Sequence, residues 1–261
     1  MKNATVIIPA RMASSRLPGK PLSNLLGMPM IGHCMARAWS SERVDDVFVA
    51  TCDVEIRDYV TSVGGKVLMT ASSHLRAATR TAEALEQAQE LKGESIDVVV
   101  MYQGDEPLIQ PKSISQIAET MENTSASVVN LLSHISDHDT FMDRNNVKAV
   151  VSRFNKILYL SREAIPSNWA PVDRVRSLLQ TGIIAFTPSA LRAFNAMETA
   201  YLEEIESIDM NRILENGGEI EAVYANYPTL GVDTEEELEK AELLLRQDPL
   251  TAEYLKRVPW N

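Results

Sequence analysis

A chain of 261 residues, 45% hydrophobic and 23% charged, has the composition of a soluble globular protein and the length for one large α/β domain, with or without an insertion. Its formal net charge of −11 argues against a protein that coats nucleic acid or binds membranes through a basic face. The cations are nonetheless gathered early: Lys2, Arg11, Arg16, Lys20 and Arg37 all precede the first acidic residue, Glu42, which suits a small anionic ligand.

No run approaches the roughly eighteen consecutive apolar residues of a membrane span. The two cysteines, Cys34 and Cys52, read as buried thiols of a reduced, cytoplasmic protein.

In chain order, residues 5–8 (Thr-Val-Ile-Ile) read as a strand buried on both faces, because the apolar run is continuous. Pro9, Pro18, Gly19 and Pro21 then give the following loop a set shape. A helix is expected over 29–40, with Pro29 in its first turn, then a strand over 46–51 and a helix over 54–63 stopped by Gly64-Gly65. A short strand over 66–69 and a strong helix over 77–91 precede the most strand-like run, 96–102, the expected sheet centre. This alternation predicts a mostly parallel, doubly wound α/β sheet.

A helix from 111 to 123 and a strand over 126–132 follow. The polar stretch 133–146 holds His134, His138 and several aspartates. Its composition is that of a loop, and no third ligand stands at a metal-binding spacing. Residues 147–151 and 157–160 read as a hairpin, and 167–177, with Trp169, Arg174 and Arg176, as irregular. The region from about 133 to 180 is therefore expected to be an insertion within a single domain, serving substrate or subunit contacts. Regular structure resumes with a strand over 181–186 and helices over 188–195 and 202–215. A strand over 219–225 and a helix capped by Thr234 complete the pattern.

Chemistry gathers in two places. The loop after the first strand offers Arg11, Arg16 and Lys20, two planar forks and a point charge suited to a polyphosphate, at the strand end where open α/β sheets bind ligands. A solvated basic surface loop is the other reading of the same residues. The expected central strand ends in Gln103-Gly104-Asp105-Glu106-Pro107, which is either a turn or a carboxylate placed to hold Mg²⁺ beside phosphates. Asp233 is likewise either a cap or a second metal carboxylate. Pro18-Gly19-Lys20 is no Walker A loop, since Ser14 and Pro21 stand where its first glycine and its Ser or Thr belong. No G-x-G-x-x-G follows the first strand.

Together these stretches resemble the cytidylyltransferases that activate 2-keto-3-deoxy sugar acids, above all the 3-deoxy-manno-octulosonate (Kdo) cytidylyltransferases. The likeness runs from Ile8-Pro9-Ala10-Arg11 and Ser15-Arg16-Leu17-Pro18-Gly19-Lys20-Pro21 through Gln103-Gly104-Asp105-Glu106-Pro107. It continues through Asn146-Val147-Lys148, Leu158-Tyr159-Leu160-Ser161-Arg162, Leu214-Glu215-Asn216-Gly217 and Gly231-Val232-Asp233-Thr234. It implies a nucleotide-diphospho-sugar transferase-like fold, a homodimer, a Mg²⁺ cofactor, and CTP with a small acidic sugar-like acceptor as partners.

By the same resemblance, Arg11, Arg16 and Lys20 neutralise the triphosphate and Asp105 and Asp233 hold the metal, these five being the catalytic set. Ala10, His74, Arg80 and Gln103 complete the nucleotide site. Arg76, Gln103, Arg162, Gln180 and Glu206 contact the acceptor or order its pocket.

Two departures from the family pattern bear on specificity. A His-x-Ser-Gly-Thr-acid-Arg run is here His74-Leu75-Arg76-Ala77-Ala78-Thr79-Arg80, and a His-x-Gly-x-Tyr strand is Gln180-Thr181-Gly182-Ile183-Ile184. An imidazole and a phenol of the sugar pocket are thus replaced, and Arg76 adds a cation. These changes raise a different keto-deoxy acid, a phosphonate or another more anionic acid as the acceptor. A different transferase on the same fold and a non-catalytic nucleotide-binding relative are the further alternatives.

Overall fold

Continuous apolar sequence becomes a buried strand: all six residues of β1 (Ala4–Pro9) are buried. The structure is a computed structural model and describes residues 4–14, 16–167, 169 and 176–257. Ser15, Asn168 and residues 170–175, including Arg174 of the stretch read as irregular, lie outside the described residues.

After the loop come a short antiparallel pair, β2 (Asn24–Leu25) and β3 (Met28–Pro29), and helix α1 (Met30–Trp39). Pro29 is the extended N-cap of α1 and not part of its first turn, a one-residue correction. Then β4 (Val44–Thr51), α2 (Val54–Ser62), β5 (Lys66–Met69), α3 (Ala77–Lys92), β6 (Val98–Tyr102) and α4 (Pro111–Asn123) alternate as expected.

The second half runs β7 (Val128–His134), α5 (His138–Met142), β8 (Lys148–Val151), β9 (Ile157–Ser161), β10 (Leu178–Phe186) and α6 (Pro188–Ala196). It ends with α7 (Tyr201–Glu206), α8 (Asn211–Glu215), β11 (Glu221–Tyr224), α9 (Glu235–Gln247) and α10 (Pro249–Tyr254).

The main sheet has the order β11-β7-β10-β6-β1-β4-β5, with β8 and β9 attached through β10. β6 is central, as its apolar run predicts. β1, β4, β5 and β6 are parallel to their neighbours in this half, and β10 runs antiparallel between β6 and β7. The period-two alternation of buried strands sorts the core into two layers. Val6, Ile8, Val49 and Val100 face α1, α2 and α4, while Ile7, Phe48, Val99 and Met101 face α3 and α6. This is the doubly wound arrangement, and it leaves the carboxyl ends of β1 and β6 free to build a site.

Three further sequence expectations need correction. The polar stretch 133–146 contains a short helix, α5, because the Asp137 carboxylate accepts the Thr140 N–H at 2.8 Å and caps it. The helix read over 202–215 is two helices. Ser207 turns left-handed (φ 53°) after the Glu206 carboxylate accepts bonds from Ser161 Oγ at 2.6 Å and the Arg162 N–H at 2.9 Å, which pin it to β9. Of the two thiols, Cys34 is fully buried and pushed far above its ordinary pKa by that burial, but Cys52 is only half-buried.

The carboxyl-terminal helices are fixed to α1 by two inaccessible side chains. Arg37 donates to Asp248 Oδ2 at 2.5 Å and to Thr251 Oγ1 at 3.0 Å. His33 lies 2.8 Å from the Leu25 carbonyl and 2.6 Å from the Tyr254 hydroxyl. Burial lowers its pKa to about 4, with the Arg37 charge acting the same way, so the ring is neutral at pH 7. Nε2–H then donates to Leu25, and Nδ1 accepts from Tyr254.

Because the folded-state pKa lies below the usual imidazole value of 6.5, the unfolded chain binds one more proton between those limits, and stability falls as pH falls through them. Between pH 7 and pH 5 the wild-type protein should lose about 2 kcal/mol more unfolding free energy than His33→Gln. Urea melts at the two pH values measure this, and equal losses would refute it.

Candidate active site

The loop after β1 is shaped by its own backbone. The Met12 carbonyl accepts from the Ser14 N–H at 2.9 Å and the Gly19 N–H at 3.1 Å, closing the loop on itself. Gly19 has φ 73°, a left-handed conformation that glycine adopts without steric cost, and Lys20 follows in a 3₁₀ turn. The Met12 N–H donates to Asp53 Oδ2 at 2.7 Å, anchoring the loop to the end of β4. Arg11 is exposed, with no ion-pair partner among the described residues.

Lys20 points inward. Its Nζ donates to Asp105 Oδ2 at 2.6 Å and to Asp233 Oδ1 at 2.8 Å. Burial alone would lower the pKa of this ammonium, but the two carboxylates outweigh it and raise it. Arg16 takes the other oxygen of Asp233 at 2.8 Å and donates to Asn145 Oδ1 at 2.7 Å.

Each carboxylate has a local reason for its place. Asp105 follows β6 in a turn tied down by the Tyr102 hydroxyl, which donates to the Glu106 carbonyl at 2.8 Å. Asp233 precedes the Thr234 cap of α9, where the Glu237 carboxylate accepts both the Asp233 and Thr234 N–H groups, at 2.8 and 2.9 Å. A main-chain bond of 2.9 Å from the Val232 N–H to the Asp105 carbonyl joins the two segments directly.

Two hard oxygens converging on one point, open on one side to a cationic cavity, suit Mg²⁺, which completes its shell with phosphate oxygens and water. Among the described residues there is no group of three or more His, Cys, Asp or Glu side chains placed as metal ligands. His134 instead stacks on Tyr224 at 6.1 Å.

Two adjoining cavities meet here. One, of about 300 Å³, lies against the loop and is lined by Ala10, Arg11, Arg16, Lys20, His74 and Asp105 among others. The second, of about 410 Å³, extends toward Arg162, Gln180, Gly182, Ser207 and Asp209. Arg11, Arg16, Arg76, Gln103, Asp105 and Asp233 border both. Gly182 permits the junction: a Cβ there would come within 2.6 Å of Gln103 Cβ, so a side chain at 182 would displace Gln103.

Several expected site residues are engaged by neighbouring groups of the chain. Arg80 borders the first cavity but is only 2% exposed, and it gives its guanidinium to Thr70 Oγ1 at 2.6 Å and to the Ala71 and His74 carbonyls, which ties down the 71–74 loop. His74 borders the first cavity, with its ring 3.1 Å from Thr79 Oγ1 and 2.5 Å from Glu83 Oε2. The Glu206 carboxylate is saturated by Tyr159, Ser161 and Arg162 and does not line the second cavity. Arg162 reaches that cavity, but it donates to the Arg144, Asn145 and Glu206 carbonyls. Gln180 lines the cavity and donates to Asn130 Oδ1 at 2.8 Å.

Arg76 brings its own counter-charges. It lies 3.5 Å from Asp209 and 3.9 Å from Glu203, and donates to Ser207 Oγ at 2.9 Å. The expectation that Arg76 favours a more anionic acceptor finds no support in this neutralised arrangement.

Three residues carry no role in the sequence reading. Asn145 links Arg16 to the second cavity. Asp209 lines that cavity, its pKa raised by burial. Glu106 accepts the Gly182 N–H, has its other oxygen buried without a partner, and is pushed by burial up to about 8. Asn145 and Asp209 stood in polar segments with no periodic signal, and Glu106 was masked by the turn-like Gly-Asp-Glu-Pro run.

A doubly wound sheet carrying a cationic loop opposite two carboxylates is the architecture of a nucleotidyltransferase, and the comparisons with known proteins agree. The cytidylyltransferase family profile matches residues 5–221. The 3-deoxy-manno-octulosonate cytidylyltransferase of Thermodesulfovibrio yellowstonii is 39% identical over 253 residues, covering 92% of this chain and 96% of its own. The enzyme of that name from Idiomarina loihiensis is also 39% identical, over 92% of this chain and 97% of its own.

A solved CMP:2-keto-3-deoxy-manno-octonic acid synthetase complexed with CTP superposes with a TM-score of 0.85. It is 32% identical, over 94% of this chain and 99% of that one. A putative glucose-1-phosphate thymidylyltransferase from Bacillus anthracis shares the fold alone, at 18% identity and a TM-score of 0.67 over 95% and 96% of the two chains. The chain belongs to the cytidylyltransferase family.

Proposed function

We propose that this protein transfers CMP from CTP to the anomeric hydroxyl of a 2-keto-3-deoxy sugar acid of the Kdo type, releasing pyrophosphate, with Mg²⁺ as cofactor. The observation that carries this reading is the pair of cavities sharing Arg11, Arg16, Gln103, Asp105 and Asp233 as a common wall. One chamber is built for a triphosphate and the other for a small polar acceptor, so the α-phosphate and its attacker meet at the carboxylates.

Arg11, Arg16 and Lys20 bind the β- and γ-phosphates and stabilise the charge that develops on departing pyrophosphate. Asp105 and Asp233 would hold Mg²⁺, which would supply charge neutralisation at the α-phosphate and favour ionisation of the attacking hydroxyl. Gln103 and Gln180 face the acceptor with neutral donors and acceptors. Arg76, balanced by Asp209, fits an acceptor whose charge is a single carboxylate. The CTP held by the solved relative supports CTP as donor. The same reading makes the protein a cytoplasmic homodimer. No helix among the described residues is long and apolar enough to cross a membrane.

Incubation with Mg²⁺, each nucleoside triphosphate in turn and a panel of keto-deoxy acids tests the proposal by pyrophosphate release. Release should be fastest with CTP and a Kdo-type acid. No release from any pair would end the transferase reading.

A further inference from the structure

The point on which Asp105 Oδ2 and Asp233 Oδ1 converge is taken by the chain's own cation, the Lys20 ammonium, at 2.6 and 2.8 Å. Arg16 holds the remaining face of Asp233 at 2.8 Å. A divalent ion bound to both carboxylates needs oxygens at about 2.0–2.1 Å for Mg²⁺, and cannot share that point with an ammonium. Metal entry therefore requires Lys20 to leave.

Leaving is costly by itself, because the Lys20 side chain is 12% exposed and would lose both anionic partners. The one direction in which it regains an anion is the adjoining cationic cavity, and only when that cavity holds phosphates. Like-charge repulsion from Arg11 and Arg16, which line the same space, otherwise opposes the move.

We propose that Lys20 is an internal counter-cation that closes the divalent site to free metal and opens it to metal accompanied by a nucleoside triphosphate. The second half of this statement rests on the transferase reading, and the first does not. Such a device makes metal and nucleotide binding mutually dependent, a coupling that is reciprocal by linkage.

Titration of Mn²⁺ followed by electron paramagnetic resonance, with the full-length protein and no nucleotide, tests the closure without turnover. Wild-type protein should bind Mn²⁺ weakly. Lys20→Met should bind it about tenfold tighter or better. Lys20→Arg, which keeps a cation between the carboxylates, should behave as wild type. Adding Asp105→Asn to Lys20→Met should abolish the gain. With CTP present, wild-type protein should acquire a bound Mn²⁺ that Asp105→Asn lacks.

Equal affinity of wild-type protein and Lys20→Met for Mn²⁺, with unchanged circular dichroism, would overturn the proposal. Lys20→Gln, which retains donors for both carboxylates, takes its place if Lys20→Met does not fold. Failure of every acceptor to release pyrophosphate would end the transferase reading and leave the nucleotide-free titration intact.

Discussion

Asp105→Asn and Asp233→Asn should each lower kcat by about 10³-fold while the thermal melt stays close to wild type. Both side chains are partly exposed and sit at the ends of segments anchored by other bonds: the Tyr102 hydroxyl holds the Asp105 turn and the Thr234–Glu237 cap holds Asp233. The amide keeps the shape and one acceptor but loses the charge a hard cation requires. The two variants should differ in nucleotide KM. Asp233 neutralises both Lys20 and Arg16, so its loss frees two cations for the triphosphate, and KM should fall or hold as kcat collapses. Asp105 neutralises only Lys20. Steady-state kinetics with varied CTP and Mg²⁺ separate the effects. Activity within about threefold of wild type for either variant would remove that residue from the metal set.

The largest stability loss is expected behind the second cavity. Glu203 is fully buried and accepts two bonds from the 5% exposed Arg212, at 2.6 and 2.7 Å. Arg212 also donates to the Phe194 carbonyl at 3.1 Å and lies over the Phe194 ring at 4.3 Å. Glu203→Ala leaves a guanidinium uncompensated in the interior and should cost about 3–5 kcal/mol, a fall in Tm of roughly 10 °C. Replacing both partners by apolar residues, Glu203→Leu with Arg212→Met, should recover most of that loss. Because α7 and α8 flank the turn that holds Ser207 and Asp209, Glu203→Ala should also raise the acceptor KM more than the nucleotide KM. Urea melts and kinetics check the two parts. A loss below about 1 kcal/mol would show that the pair is not the clamp its burial implies.

The sheet was legible because its signals are local. Apolar runs and helix stops marked the strands and helices of the first half to within a few residues, and the Thr234 cap with its acidic first turn marked α9. The antiparallel placement of β10 was not legible, since a buried run carries no mark of direction. Nor was the break at Ser207, where apolar periodicity favoured one helix and a tertiary demand, the docking of Glu206 on β9, prevailed. In the site, charge and position marked the loop cations and the two carboxylates as candidates, and the family resemblance chose between those roles and a surface loop, a turn or a cap. Whether Arg80 or Glu206 faces a ligand or neighbouring groups of the chain depends on long-range partners. Asn145, Asp209 and Glu106 have meaning only through what folds against them.

The main-chain bond from Val232 to the Asp105 carbonyl has a consequence for biosynthesis. β1, β4, β5 and β6 can pair with one another while the ribosome is still translating the second half, and only the other edge of β6 waits for β10. The segment that brings Asp233 beside Asp105 emerges only after β11 has been made. A nascent chain therefore acquires its phosphate-facing loop long before it acquires both acidic groups. On the proposed function, a stalled or truncated product that ends before Asp233 is expected to bind nucleotide without turning over.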